Sequence, residues 1–142
     1  MPLETEAKRI SDPIDLEKAF AIRREVFVDG QNCPPDLESE FNDAATHFLA
    51  TVEGQPAGAA RYRKTDKGYK LERFAVLDKY RGCGIGQALI KAVLADLPAH
   101  ANYVYLHAQV QAVGLYEKFG FKPSGPQFEE AGIQHYKMVK EY

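Results

Sequence analysis

The stretch Tyr69 to Ala88, YKLERFAVLDKYRGCGIGQA, decides how the rest of the chain is organised. Lys70 to Val76 closes on Phe, Ala and Val and reads as a strand. A turn through Leu77-Asp78-Lys79-Tyr80 leads into Arg81-Gly82-Cys83-Gly84-Ile85-Gly86. Beyond it, Ala88, Leu89, Ala92, Val93 and Leu97 recur at helical spacing. The order is strand, glycine loop, helix. Three glycines in five residues let a backbone come close to a ligand. The first N–H groups of a helix lack intrahelical acceptors and lie at its positive end, so they suit a phosphate or diphosphate. The competing explanation is a turn that merely starts a helix. A nucleotide-hydrolase phosphate loop is disfavoured, because Gln87-Ala88 follow Gly86 where Lys and Ser/Thr are needed. The GxGxG spacing, deep in the chain, is not a dinucleotide fingerprint either.

Upstream, Glu4 to Ile10 forms a weak first strand, and Asp12-Pro13 reads as N-cap and first helical residue. Leu16, Ala19, Phe20, Arg23 and Phe27 predict an amphipathic helix from Pro13 to about Val28. Asp29 to Ala45, with Gly30, Pro34 and Pro35 and then acids at Asp36, Glu38, Glu40 and Asp43, predicts a long loop with a short helix, a length common in functional loops. Thr46 to Val52, Ala57 to Arg63 and the Lys70 strand, joined by short turns, make an antiparallel meander. Downstream, Tyr103 to His107 is a strand, and the helix-length connection before it favours parallel pairing with the Lys70 strand. Gln111 to Phe119 is a short helix ended by Gly120; Phe121 to Ser124 and His135 to Lys140 form a closing strand pair. The fold class is α/β (α+β), a mixed and mostly antiparallel sheet with helices on both faces.

Composition narrows the setting. A chain of 142 residues predicts one domain over 1–142. A formal charge of −2 gives no reason to expect nucleic acid or an anionic membrane as partner. No apolar run reaches membrane-span length, and the acidic start is unlike a signal peptide. Two cysteines imply no disulfide framework and make the cytoplasm the default. No metal-ligand spacing is present, so no metal is expected.

Arg81-x-x-Gly84-x-Gly86 resembles the Arg/Gln-x-x-Gly-x-Gly/Ala signature of the GNAT superfamily of N-acetyltransferases. Ala112 to Phe121, AVGLYEKFGF, is similar to the later motif of that superfamily, with Leu115 in place of the commoner aromatic. The stretch RREVFV from Arg23, with Gln31-Asn32 and Thr46-His47, resembles the small bacterial YjcF/ElaA-like branch, although Gly30 replaces an expected glutamate. The resemblance covers nearly the whole chain. It implies a splayed parallel strand pair, acetyl-CoA as co-substrate and a small-molecule or peptide amine as acceptor, and it leaves homodimer formation open. It further implies that Arg81, Gly82, Cys83, Gly84, Ile85 and Gly86 hold the pyrophosphate, while the backbone of Phe74, Ala75 and Val76 pairs with the pantetheine arm.

Two residues are candidates for catalysis, Tyr116 from the same likeness and Glu72 from its place in an otherwise apolar strand. Tyr116 is the candidate acid that protonates the departing thiolate, against a plain packed aromatic. Glu72 is the candidate base toward the amine, directly or through water, against a salt bridge with Arg61, Arg63 or Arg73. His107 ends a strand near the expected cleft and is a lesser candidate for proton relay. His47 is weaker still, and Cys83 reads as a small residue chosen for fit. Arg23, Arg24, Glu38, Glu40 and Asp43 flank the region expected to cover the acceptor; a solvated charge face is the default for them. The reaction expected is direct N-acetylation of a primary amine in a ternary complex. The alternative is a catalytically silent CoA-binding sensor or interaction module.

Overall fold

A computed structural model describes residues 4–141. The fold is mixed α/β, mostly antiparallel, with one parallel strand pair. By contacts the chain divides into two compact units. One holds the chain up to Tyr62 together with Arg73–Leu97, the other Arg63–Glu72 together with the chain from Pro98 onward.

In the first unit, β1 (Thr5–Ile10), β2 (Thr46–Val52) and β3 (Gln55–Lys64) run antiparallel, followed by the end of β4 (Tyr69–Val76). The β2–β3 hairpin turns on two residues, Glu53 and Gly54, at φ of 49° and 79°. That left-handed pair matches the twist of the strands it joins. Pro56, which has no N–H to donate, stands opposite Thr51 where the register shifts at a bulge.

Two helices cover opposite faces of these strands, and adjacent strand residues show it. Ala59 joins the core of Ile10, Ala19, Ile22, Leu49 and Ala75 beneath α1 (Pro13–Arg23). Its neighbour Gly58 meets α3 (Ile85–Asp96) instead: a Cβ there would lie 2.7 Å from Ile85 Cγ2 and 2.8 Å from the Ala75 carbonyl. The Tyr62 hydroxyl also donates to Asp96 Oδ2 at 2.8 Å, tying β3 to the far end of α3.

Helix α1 starts as its sequence dictates. Asp12 accepts from the Ile14 N–H at 2.7 Å, and Pro13 fills the first turn, where a missing N–H costs nothing. The single α-helix expected to about Val28 is corrected, because Arg24–Asp29 is wound as a π-helix closed by the Gly30 N–H on the Glu25 carbonyl. The wider turn breaks the helical spacing just after Arg23, whose side chain is wholly buried. A short helix, α2 (Pro35–Glu38), and a 3-10 turn over Asn42–Ala44 occupy the loop that follows.

In the second unit the start of β4 pairs in parallel with β5 (Val104–Gln109) over Tyr69–Leu71 and Val104–Leu106. β5 lies antiparallel to β8 (Ile133–Lys140), which also carries β6 (Phe121–Pro123) and β7 (Phe128–Glu130). β7 is an addition to the predicted elements. The last helix, α4 (Val113–Glu117), is shorter than expected because Val110–Ala112 is wound as a 3-10 turn. No helix among the described residues is long and apolar enough to cross a membrane.

Candidate active site

The 81–86 loop in the first unit is shaped by two left-handed glycines ahead of a helix. Gly82 and Gly84 hold φ of 83° and 80°, a region costly for side-chain-bearing residues. A Cβ at either glycine would meet nothing within 4 Å, so the loop faces open space there. Gly84 is the N-cap of α3, and no side chain caps that helix. Its first N–H groups therefore stand ready for an external acceptor at the positive end of the helix. Ile85, 1% exposed, anchors the loop from below, while Cys83 stays exposed. Arg81 makes an exposed ion pair with Asp78 at 3.0 Å. Both edge a cleft of about 270 Å³, completed by Glu25, Val26, Gly30 and Gln31.

The strand before the loop is bent. Arg73 has φ of 60° in the middle of β4, a left-handed residue that interrupts the alternation of faces. Past it, Ala75 enters the core, Phe74 and Val76 are half-buried, and the Leu77 N–H donates to the Ala57 carbonyl at 2.9 Å. The Arg73 guanidinium donates to the carbonyls of Leu37 and Glu38, both at 3.0 Å, which clips α2 onto β4.

Beneath α2 lies a polar network inside the same unit. Arg23 Nε donates to Glu38 Oε2 at 2.7 Å, and its Nη2 reaches the Glu38 carbonyl at 3.1 Å and Asn42 Oδ1 at 2.8 Å. Arg61 Nη1 also donates to Asn42 Oδ1 at 2.8 Å. The His47 Nε2–H donates to the Asn42 carbonyl at 2.8 Å, leaving Nδ1 to accept from Arg23 at 3.4 Å. Burial, aided by Arg23 and Arg61, lowers the His47 pKa and favours the neutral ring. The solvated face expected of Arg23 and Glu38 is thus corrected: they are 0% and 6% exposed. The clue lay in the helical stripe, since Arg23 stands four residues after the buried Ala19.

Glu72 and Tyr116 belong to the second unit. Glu72 accepts from Arg63 Nε at 2.6 Å on Oε1, and Lys70 Nζ lies 3.4 Å from Oε2. Of the three arginines that could have paired with it, Arg63 does so; Arg61 and Arg73 are engaged in the first unit. Two cations thus flank this carboxylate. Tyr116, on α4, is 7% exposed and packs edge-on against Phe121 at 6.2 Å. Burial pushes its phenol well above the ordinary range, so the hydroxyl keeps its proton at any physiological pH. No group of three or more metal-binding side chains occurs among the described residues.

A model of the acetyltransferase (GNAT) domain matches residues 11–142 and so runs through both units. The chain is 39% identical over 129 residues to the uncharacterized N-acetyltransferase YjcF of Bacillus subtilis, covering 89% of this chain and 92% of that one. It is 32% identical over 133 residues to the protein ElaA of Escherichia coli, covering 89% and 87%. Among solved structures, an acyl-CoA N-acyltransferase from Pseudomonas aeruginosa superposes with a TM-score of 0.81 at 25% identity, over 98% of this chain and 99% of the other. The crystal structure of Escherichia coli ElaA superposes with a TM-score of 0.79 at 27% identity, over 98% and 99%. With a family model spanning most of the chain and relatives this similar along nearly their whole length, the chain belongs to the GNAT acetyltransferase family, beside YjcF and ElaA.

Proposed function

We propose that this chain is an acetyl-CoA-dependent N-acetyltransferase that moves the acetyl group directly to a primary amine. The observation that carries the reading is the 81–86 loop, with two left-handed glycines open to space and an uncapped twelve-residue helix behind it. That arrangement fits a diphosphate, and the missing lysine argues against a nucleotide triphosphate. In this reading the loop amides bind the pyrophosphate of CoA. The backbone of Phe74, Ala75 and Val76, past the left-handed Arg73, aligns the pantetheine arm. Tyr116 gives its proton to the departing sulfur, a role that needs a phenol kept neutral. Glu72 is the candidate base, in competition with its own ion pairs to Arg63 and Lys70.

Ligand-dependent melting tests the assignment. A ligand bound by the folded state alone raises the midpoint by mass action. CoA and acetyl-CoA are expected to raise it, and ATP and NAD to do markedly less; equal shifts with all four would remove the CoA assignment.

Gly84→Asp tests the seat itself. The new side chain would project into open space, and aspartate tolerates a left-handed φ better than most residues, so the fold should survive. A carboxylate within roughly 5 Å of a phosphate at an effective dielectric near 20 opposes binding by about 3 kcal/mol before screening. A fall in CoA affinity of about tenfold or more is expected, since every ~1.4 kcal/mol is tenfold. A folded variant with wild-type affinity by calorimetry would place the phosphates elsewhere.

A further inference from the structure

The second unit carries an ionisable array that the roles assigned so far leave unused. His107 Nδ1 lies 2.9 Å from Glu130 Oε2. Its ring stands edge-on to Phe128 at 5.0 Å and tilted to Tyr105 at 6.2 Å. With Nδ1–H donating to the carboxylate, the lone pair is fixed on Nε2, and no hydrogen bond to Nε2 occurs among the described residues. His107 keeps 24% of its side-chain surface exposed.

Register gives this pair its significance. The parallel ladder ends with Leu71 opposite Leu106, so Glu72 and His107 are the next residues on their strands. Lys70 stands opposite Tyr105, so the face that carries Lys70 and Glu72 on β4 carries Tyr105 and His107 on β5. His107 therefore begins where the two strands stop pairing, beside the Glu72 carboxylate.

The surrounding charges are suited to proton transfer. Lys137, the β8 partner of His107, holds its ammonium 5.4 Å over the Tyr105 ring. Lys70 and His135 add positive influence on Glu130, and the hydrogen bond from His107 leads in lowering its carboxyl to about 2. His135 is itself fixed, stacked on Phe128 and donating from Nδ1 to the Ile133 carbonyl at 2.8 Å. Glu130 thus stays ionised as an orienting partner, while Glu72 is held by two cations. An imidazole ordinarily titrates nearer neutral pH than a carboxylate does, which suits a base acting on an ammonium.

We propose that His107 is the catalytic base of the acetyl transfer and that Glu130 is its positioning residue. This rests on the acetyltransferase reading above. Nε2 removes one proton from the substrate ammonium, directly or through one water, and passes it to solvent. The freed nitrogen pair forms the C–N bond and the C–S pair leaves on sulfur. Tyr116 protonates that sulfur, and the proton then shed by nitrogen restores the phenol. The sum is ammonium plus thioester giving amide, thiol and one proton.

Two measurements on the intact chain test it. In ¹⁵N NMR, the neutral His107 ring should be the Nδ1–H tautomer, and Glu130→Ala should release that preference. An Nε2–H tautomer in the wild type, or an unchanged tautomer in Glu130→Ala, overturns the dyad whether or not any amine is acetylated. In kinetics with acetyl-CoA, His107→Gln should lower kcat/KM for strongly basic alkylamines by about 10²-fold, with CoA affinity kept within about threefold. The acid limb of the pH profile should disappear. Hydroxylamine, already neutral at pH 7, should be spared most of that loss, a selectivity that mere misfolding would not give. Glu130→Gln should give a smaller loss with the same preference for basic amines. Wild-type turnover with an unchanged profile in His107→Gln refutes the base and leaves the acetyltransferase reading standing. No thiol release by the wild-type chain with either amine class refutes both.

Discussion

Tyr116→Phe should lower turnover by about 10²-fold, the lower end of the ~10²–10⁴ typical of a lost general acid, because CoA thiol is already a fair leaving group. The substitution keeps the ring and its edge-on contact with Phe121 while removing the one proton the hydroxyl can give. Affinity for acetyl-CoA should stay within about threefold, and KM for the amine should change little if chemistry is slow. The two assays belong on the same folded variant. The raised phenol pKa adds a further expectation: in the wild type no basic limb should arise from Tyr116 within the usual assay range, since the group keeps its proton throughout. Full turnover in Tyr116→Phe would give the sulfur another proton source and leave Tyr116 as a packed aromatic.

Arg23→Met should produce the largest loss of stability. Its guanidinium is wholly buried and supplies hydrogen bonds to Glu38 and Asn42. Methionine fills much of the same channel but leaves the 6%-exposed Glu38 with Arg73, 3.7 Å away, as its ion-pair partner. Removing one member of a buried pair usually costs about 3–5 kcal/mol, a large share of the ~5–15 kcal/mol that holds a domain together. Urea unfolding should show a lower midpoint with an unchanged slope. Adding Glu38→Leu should recover a good part of the loss, because a buried carboxylate left with one partner at 3.7 Å, more than the missing bond, is what costs. A single-variant loss under about 1 kcal/mol would show that Glu38 is hydrated in solution.

Elements governed by local rules were legible in the sequence. The Asp12-Pro13 cap, the Glu53-Gly54 turn, the strand–loop–helix order around Gly84 and the parallel pairing of β4 with β5 all follow from residue type and spacing. Elements set by distant partners were not. Arg23 lies on the buried stripe of α1, yet its burial depends on Glu38 and Asn42, which are 15 and 19 residues away. The π-wound turn after it has no marker of its own, since no proline or glycine pair announces it. β7 escaped because three residues carry too little periodicity, and with it went the His107–Glu130 pair, which exists only once β7 folds back along β8. The candidate site divides along the same line. Its glycine loop is spelled out in six consecutive residues, whereas the partner of Glu72 had to be chosen among three arginines by folding alone.

The bare Cα of Gly58 sets how deep the helix behind the proposed phosphate seat can sink. With no methyl between sheet and helix, Ile85 rests directly on β3, one residue after the loop's last left-handed glycine. The seat has no vertical play. Any other amino acid at position 58 would act as a shim, lifting the start of α3 against backbone that cannot yield. In directed evolution toward new amines, position 58 would therefore stay closed to change however freely the acceptor loop drifts, because the phosphate height is common to every substrate the scaffold could serve.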